Sequence, residues 1–276
     1  MTSRVLVIGG TGKTGRKVAQ RLTSLKQEVR IGSRSAVPAF DWQKPDDWAE
    51  ALKEIDKVYI SFQPDLAVPG ALEAIEELVR QAKRSGISKM VLLSGKGERE
   101  AELCEQVLIH SGIDYTIIRA SWFNQNFSES FFLEPILAGH VCLPQAEAKV
   151  PYVDTDDIAD VAVAALMEEE HNGRIYELTG PRLLTFKDIM DDISRETGRS
   201  IHYTPITMQA YSKTLQEAGL PDDYIWLINY LFTEVLANEE NSAISSDIEK
   251  VLGRKATDFS DYVKRTAATG IWNPAS

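Results

Sequence analysis

An α/β fold of the Rossmann type, a doubly wound parallel sheet with a smaller, mostly helical C-terminal lobe, is predicted by three features of the 276-residue sequence. Short apolar runs such as Val5–Ile8 and Met90–Leu93 are continuous rather than alternating, as expected of strands covered on both faces. Stretches with apolar residues at helical spacing separate those runs, the order that builds a parallel sheet. The first run passes directly into a turn with Gly9, Gly12 and Gly15 at G-x-x-G-x-x-G spacing.

That turn carries most of the functional information. In a strand-turn-helix setting the first glycine permits a tight turn, the second lets backbone N–H groups approach a pyrophosphate, and the third lets helix pack on strand. The turn residues Gly9, Thr11, Gly12, Lys13, Thr14 and Gly15 are therefore expected to hold a dinucleotide. Val18, Ala19, Leu22 and Leu25 mark the buried face of the helix that follows, over about Thr14 to Leu25. The second strand, Glu28–Gly32, ends in Ser33-Arg34-Ser35. An acidic residue at this place would accept hydrogen bonds from a ribose 2′-hydroxyl, whereas an arginine pairs with a 2′-phosphate. NADP(H) is the expected cofactor, with Ser33 and Arg34 on the 2′-phosphate and Lys13 either a second cation or a solvated lysine.

Farther along, Phe40-Asp41-Trp42 and a helix over Pro45–Leu52 are expected beside the adenine. A third strand, Lys57–Ser61, ends in Phe62 and Gln63, which are placed to line the dinucleotide because ligands in such sheets bind at the carboxyl ends of the strands. A helix from Ala71 stops at Gly86, and a fourth strand from Lys89 ends in Ser94-Gly95-Lys96-Gly97. Ser94 and Lys96 are candidates for chemistry, a hydroxyl donor and a positive field; a serine bonded to backbone and a surface lysine are the plain alternatives. A charged helix from Glu98 to His110 and a fifth strand from Ile113 follow. The loop after it, Ala120 to Phe127, is rich in aromatic rings and amides; Trp122, Phe123 and Asn126 are expected on the substrate, with Asn124 and Gln125 also able to orient it, and the plain alternative is that one of these aromatics plugs the core and one of these amides caps the following helix. Tyr152 is a weaker candidate, either a proton donor or a packed tyrosine.

A helix over Thr155–Met167 and a strand over Arg174–Gly180 complete the nucleotide-binding part, taken as 1–180. The remainder, 181–276, reads as a lobe for substrate or partner, the division being approximate and open to discontinuity. Thr185 and Asp188 have the spacing of a capping box. Helices are expected over 208–218, 221–237 and 259–267, with a short strand at 201–204. The apolar stretch Tyr224–Phe232 is core, pocket wall or the contact of a homodimer, core being the simplest reading.

Thirty basic residues against 41 acidic ones, a net charge of −11, argue against a nucleic-acid partner. No run approaches the roughly 18 apolar residues of a membrane span, and a strand beginning near Arg4 leaves no room for a signal segment, so a cytoplasmic protein without membrane contact is expected. Cys104 and Cys142 lack metal-ligand spacing, and no metal site is expected from them.

Taken together, GGTGKTG, the arginine after the second strand, VLLSG, SGIDYTIIRASWFNQNF, VPYVDTDDIADVAVAAL and YELTGPRLLTFKDI resemble the NmrA-like branch of atypical short-chain dehydrogenases. Within that branch the chain looks most similar to the agroclavine dehydrogenase and festuclavine synthase type of ergot alkaloid pathways. The resemblance implies a Rossmann fold, NADP(H) binding and hydride reduction of an iminium carbon. The chain departs from ordinary short-chain dehydrogenases: the helix from Glu98 has no Tyr-x-x-x-Lys pair, nor the lysine often found there in isoflavone-reductase relatives. A flat, already electrophilic acceptor, such as an iminium, a quinone or a conjugated cation, suits such a site because it needs little acid catalysis. The alternative implied by the resemblance is a non-catalytic NADP(H)-sensing regulator.

Overall fold

The computed structural model describes residues 3–274. In chain order its elements are β1 (Arg4–Ile8), α1 (Gly15–Ser24), β2 (Glu28–Gly32), α2 (Trp48–Leu52), β3 (Lys57–Ser61), α3 (Ala71–Arg84), β4 (Lys89–Gly95), α4 (Arg99–Ile109) and β5 (Asp114–Ala120). These are followed by α5 (Leu133–Ala138), β6 (His140–Leu143), α6 (Thr155–Met167), β7 (Arg174–Leu178), α7 (Phe186–Thr197), β8 (His202–Pro205), α8 (Met208–Glu217), α9 (Asp222–Tyr230), α10 (Asp247–Leu252) and α11 (Phe259–Ala267). The chain divides into two units, the first comprising Met1–Ala120, Thr155–Leu178 and Asp247–Arg254, the second Ser121–Asp154, Thr179–Ser246 and Lys255–Ser276. The boundary expected at 180 lies beside one change of unit, and the others make both units discontinuous.

The first unit is the Rossmann sheet. Its six strands run parallel in the order β2-β1-β3-β4-β5-β7. Val5 pairs with Val29 on one side and Lys57 on the other, so the strand order reverses beside β1. Successive side chains of a strand point to opposite faces, and both faces are covered. Leu6, Ile8, Val58, Ile60, Met90 and Leu92 pack with Trp48, Ile75, Leu78 and Leu108 from α2, α3 and α4. Val5, Val7, Tyr59 and Val91, on the alternate positions, are also fully buried.

Charge joins the separate stretches of this unit. Asp156 of α6 accepts from Lys17 at 2.7 Å and Arg21 at 2.8 Å, Arg21 also pairs with Asp160, and Arg254 beyond α10 reaches Asp157 at 2.7 Å and Asp160 at 2.5 Å. Burial alone would raise the Asp156 carboxyl, but Lys17 and Arg21 hold it down at about 2.

The second unit is built on aromatic rings. Phe127, Phe132, Tyr152, Phe186, Phe232, Phe259, Tyr262 and Trp272 share one apolar cluster, and Trp272 Nε1 donates to the Phe127 carbonyl at 2.8 Å. Besides its helices it contains a two-stranded parallel sheet, β6 with β8. The capping box before α7 forms as its spacing predicts: Thr185 Oγ1 accepts from the Asp188 N–H at 3.2 Å, and Asp188 accepts from the Thr185 N–H at 2.9 Å. The helix expected over 221–237 is α9 continued by a π-helical turn at Leu231–Leu236. Ile225, Leu227, Ile228 and Phe232 are buried, while Tyr224 and Trp226 are about half exposed.

Candidate cofactor and acceptor site

The glycine turn has the geometry its spacing implies, and each glycine is needed for a different contact. Gly9 has φ +73°, and a Cβ there would lie 2.9 Å from the Ser61 carbonyl oxygen. A Cβ at Gly15 would fall 2.2 Å from the Gly9 carbonyl oxygen, so the start of α1 seats on the turn only without a side chain. A Cβ at Gly12 would stand 3.1 Å from Gln63 Nε2. The ends of β1 and β3 therefore meet at this loop, and Gln63 is exposed beside it, as the sequence places it. Thr11 is exposed on the loop, and Lys13 is partly buried.

Two neighbouring expectations need correction. The Thr14 side chain does not face a ligand: it is buried, and its Oγ1 accepts a hydrogen bond from Tyr59 at 3.0 Å. Phe62 is partly buried and packs on Trp42 at 4.5 Å, next to the Phe40–Trp48 stack, so its ring belongs to the apolar layer. Neither contact was readable locally, because Tyr59 and Trp42 come from other elements.

At the end of β2, Ser33 organises the following loop. Its carbonyl accepts from the N–H groups of Ala36 and Phe40, and its hydroxyl lies 3.3 Å from that of Ser35. Arg34 is exposed and pairs with no carboxylate among the described residues. In a chain of net charge −11, an unpaired arginine at the carboxyl edge is a ready anion contact. Glycine loop, helix start and arginine together fit a phosphorylated dinucleotide.

The candidates for chemistry are rearranged more strongly. Ser94 is buried, and its Oγ donates to Glu105 Oε1 at 2.6 Å. Glu105 is itself clamped by Arg119, whose Nη2 donates to Oε2 at 2.6 Å. Ser94 thus serves a buried ion pair between α4 and β5, and its one O–H is spent there. Lys96 is buried with its Nζ 3.1 Å from Glu177 Oε2, so its positive charge is paired rather than offered to a ligand. Tyr152 sits in the aromatic cluster against Phe127 and Phe186, where burial raises its hydroxyl beyond the usual tyrosine range; it is a packed tyrosine and no proton donor.

A different pair occupies the ends of β3 and β4. The Asp65 and Glu98 carboxyl groups face each other, two like charges that a shared proton would relieve. Asp65 Oδ1 also accepts from the Ala67 N–H at 2.8 Å. The Glu98 carboxyl folds onto Gly95, where a Cβ would clash with Glu98 Oε1. Burial, and then the neighbouring Asp65, lifts Glu98 well above the ordinary glutamate range, and burial raises Asp65 as well. The sequence offers no local signal for this pair, because Glu98 reads there only as the start of a helix.

In the second unit, the segment after β5 contains a 3-10 turn at Asn124–Phe127. Trp122 is partly buried and meets Phe232 edge-on at 5.3 Å; Phe123 is partly buried and bridges to Val153; Asn126 is partly buried. Gln125 is structural, donating to Asp154 at 2.8 Å, and Asp154 also pairs with Arg265 at 2.6 Å. Asn124 is fully buried, and neither its amide nitrogen nor its oxygen has a hydrogen-bond partner. Such an orphaned amide is rare in a finished core and points to a missing polar partner.

The chain belongs to the NmrA-like family, whose model matches residues 1–266. It is 28% identical to prestalk A differentiation protein A of Dictyostelium discoideum over 95% of this chain and 92% of that one. It is 29% identical to agroclavine dehydrogenase of Claviceps fusiformis, covering 94% and 96%, and 27% identical to an NAD(P)H azoreductase of Xenophilus azovorans, covering 96% and 98%. Among solved structures, the fold is shared with a Citrobacter sp. triphenylmethane reductase complexed with NADP(H), at TM-score 0.73 and 19% identity over 96% and 100% of the chains. It is shared likewise with an Escherichia coli NADPH-dependent quinone oxidoreductase bound to NADPH, at TM-score 0.74 and 20% identity over 95% and 99%. The negative transcriptional regulator NmrA in complex with NAD has the same fold at TM-score 0.72 and 14% identity, over 98% of both chains.

Proposed function

We propose that this protein is an NADPH-dependent reductase that delivers hydride to a flat, electron-poor small molecule: an iminium, a quinone or another conjugated acceptor. The observation that carries the reading is the cradle at the carboxyl edge of the sheet, where a side chain at Gly9 or Gly15 would collide with backbone, Gly12 lies close against Gln63, and Arg34 stands unpaired after the adjacent strand. The residues proposed to hold the cofactor are Gly9, Thr11, Gly12, Lys13 and Gly15 at the pyrophosphate, Ser33 and Arg34 at the 2′-phosphate, and Gln63 beside the loop; Thr14 contributes through its backbone. Relatives named as dehydrogenases and an azoreductase support hydride transfer.

For the acceptor, the proposed contacts are the rings of Trp122 and Phe123 and the amides of Asn124 and Asn126, the orphaned Asn124 marking the polar part of that contact. When bound, NADPH supplies the hydride. The chain's own share is orientation and, for some acceptors, a proton. An iminium becomes a neutral amine on receiving hydride and needs no proton. A quinone or an azo group becomes an anion and needs one, and Glu98, whose neutral form burial and Asp65 favour, is the group proposed to donate it, which leaves both carboxylates charged until a proton is taken back from solvent.

The test is a titration of the purified chain with NADPH and NADH, alongside Arg34→Ala, followed by NADPH loss in the presence of iminium, quinone and cationic dye acceptors. The reading predicts tighter NADPH binding, loss of that preference in the variant, and turnover of one of these acceptors. Failure to bind either nucleotide overturns it. Tight binding without turnover favours a second reading, a cofactor-responsive binding protein, which draws on the absence of tyrosine and lysine from α4.

A further inference from the structure

At the opposite, amino-terminal edge of the same sheet, the segment between α6 and β7 holds a histidine in an unusual setting. His171 is 3% exposed, and its Nε2 faces two carboxylates, 3.3 Å from Glu168 Oε2 and 3.9 Å from Glu170 Oε1. Despite those distances Nε2 makes no hydrogen bond. The three ligand atoms all lie within 4.8 Å of one another. The other ring nitrogen, Nδ1, lies 2.8 Å from the Tyr176 hydroxyl. If Nδ1 donates to that oxygen, Nε2 presents a lone pair to two anions, an arrangement a cation between them would relieve.

The backbone bearing these groups is held from below at several points. Lys57 Nζ donates to the Leu166 carbonyl at 2.6 Å, Lys89 Nζ to the Glu168 carbonyl at 2.7 Å, and Thr116 Oγ1 to the His171 carbonyl at 2.8 Å. The Gly173 N–H reaches the Tyr115 carbonyl at 2.7 Å. The side chains of Glu168 and Glu170 are 56% and 78% exposed, so the buried imidazole meets solvent-accessible carboxylates on a fixed scaffold.

We propose that Glu168, Glu170 and His171 form a zinc-binding site, with the two carboxylates and His171 Nε2 as ligands, Tyr176 orienting the ring, and water completing the coordination. Zinc suits one imidazole with two carboxylates, whereas magnesium and calcium prefer all-oxygen sets. The site requires no cysteine: its ligands come from a Glu-x-Glu-His spacing on a short turn. Nothing in it depends on the reductase reading, since its ligands lie at the ends of the strands away from the glycine turn.

The experiment is a titration of the EDTA-stripped full chain with zinc chloride, by calorimetry and by competition with a chromophoric chelator, joined to X-ray absorption of the loaded protein. One zinc per chain is expected, with nitrogen and oxygen ligands at about 2.0–2.2 Å and no sulfur. The exposed pair Glu168→Gln/Glu170→Gln should leave the metal-free melting temperature unchanged and weaken zinc at least about tenfold; Tyr176→Phe should weaken it by about 10–100-fold through the ring orientation. His171→Ala should abolish binding, and the glutamine double variant decides the matter if that protein does not fold. Cys142→Ser serves as the control, because Cys142 Sγ lies 3.6 Å from His140 Nε2 on β6. Zinc that leaves with Cys142→Ser, zinc bound equally by the glutamine double variant, or no binding at tens of micromolar overturns the proposal.

Discussion

Arg34 and Glu98 show how differently two charged residues come to matter. Arg34 is exposed and unpaired, so its value rests on a ligand. A charge-assisted hydrogen bond contributes about 1.5–3 kcal/mol, so Arg34→Ala should weaken NADPH by roughly 10–100-fold and leave NADH unchanged in a fluorescence titration. Glu98 is the reverse case, an acid whose neutral form the fold favours. Its native value lies above its unfolded value, so the native state binds more protons between the two, and stability falls as pH rises through that window. Glu98→Gln offers Asp65 an N–H donor without the titration. Its melting temperature should exceed that of the parent at pH 8 and converge on it near pH 4; equal melting at both values would remove the protonated acid. The same variant should lose turnover with quinone or azo acceptors and keep it with iminium acceptors. Arg34 was legible because its position after the second strand is a local property. Ser94, Lys96 and Tyr152 were not, since Glu105, Glu177 and the aromatic cluster decide where those side chains point.

At the level of elements, the start of α1 and the start of α7 are both specified by short sequence signals. Gly15→Ala would force a Cβ against the Gly9 carbonyl, so α1 must shift off β1. That variant should bind nucleotide poorly and unfold at lower urea than the parent. Thr185→Ala removes one half of the capping box, and such losses cost about 0.5–2 kcal/mol; the urea midpoint should fall accordingly with an unchanged slope. Both elements were readable because a cap and a glycine turn act over three or four residues. The helix expected to run through 237 ends instead in a π-helical turn, where Phe232, Val235 and Leu236 are all buried. Packing of that stretch, rather than its helical propensity, sets its winding.

Across the whole first unit, α1, α6 and the segment after α10 are tied by the Lys17, Arg21 and Arg254 pairs to Asp156, Asp157 and Asp160. With Asp156 held at about 2, its contribution is present above the ordinary aspartate value and is lost as pH falls toward 2. Asp156→Asn should therefore lower stability at pH 7 and flatten the acid limb of a melting-temperature profile between about pH 4 and 2. An unchanged acid limb would show that the network carries no such linkage.

By itself the sequence determined the class of fold, the parallel sheet and the glycine cradle. Continuous apolar runs, helical periodicity and the steric demands of a turn are properties of neighbouring residues. It also put Arg34 just after the second strand, where the chain leaves the carboxyl edge of the sheet. Only the tertiary structure decided which stretches share a unit, so that 121–154 left the sheet's unit and 247–254 joined it. It alone brought Asp65 to Glu98 and set His171 against Glu168 and Glu170. Burial and charge pairing depend on distance in space, and a carboxyl group reads the same in sequence whether its proton is held or lost.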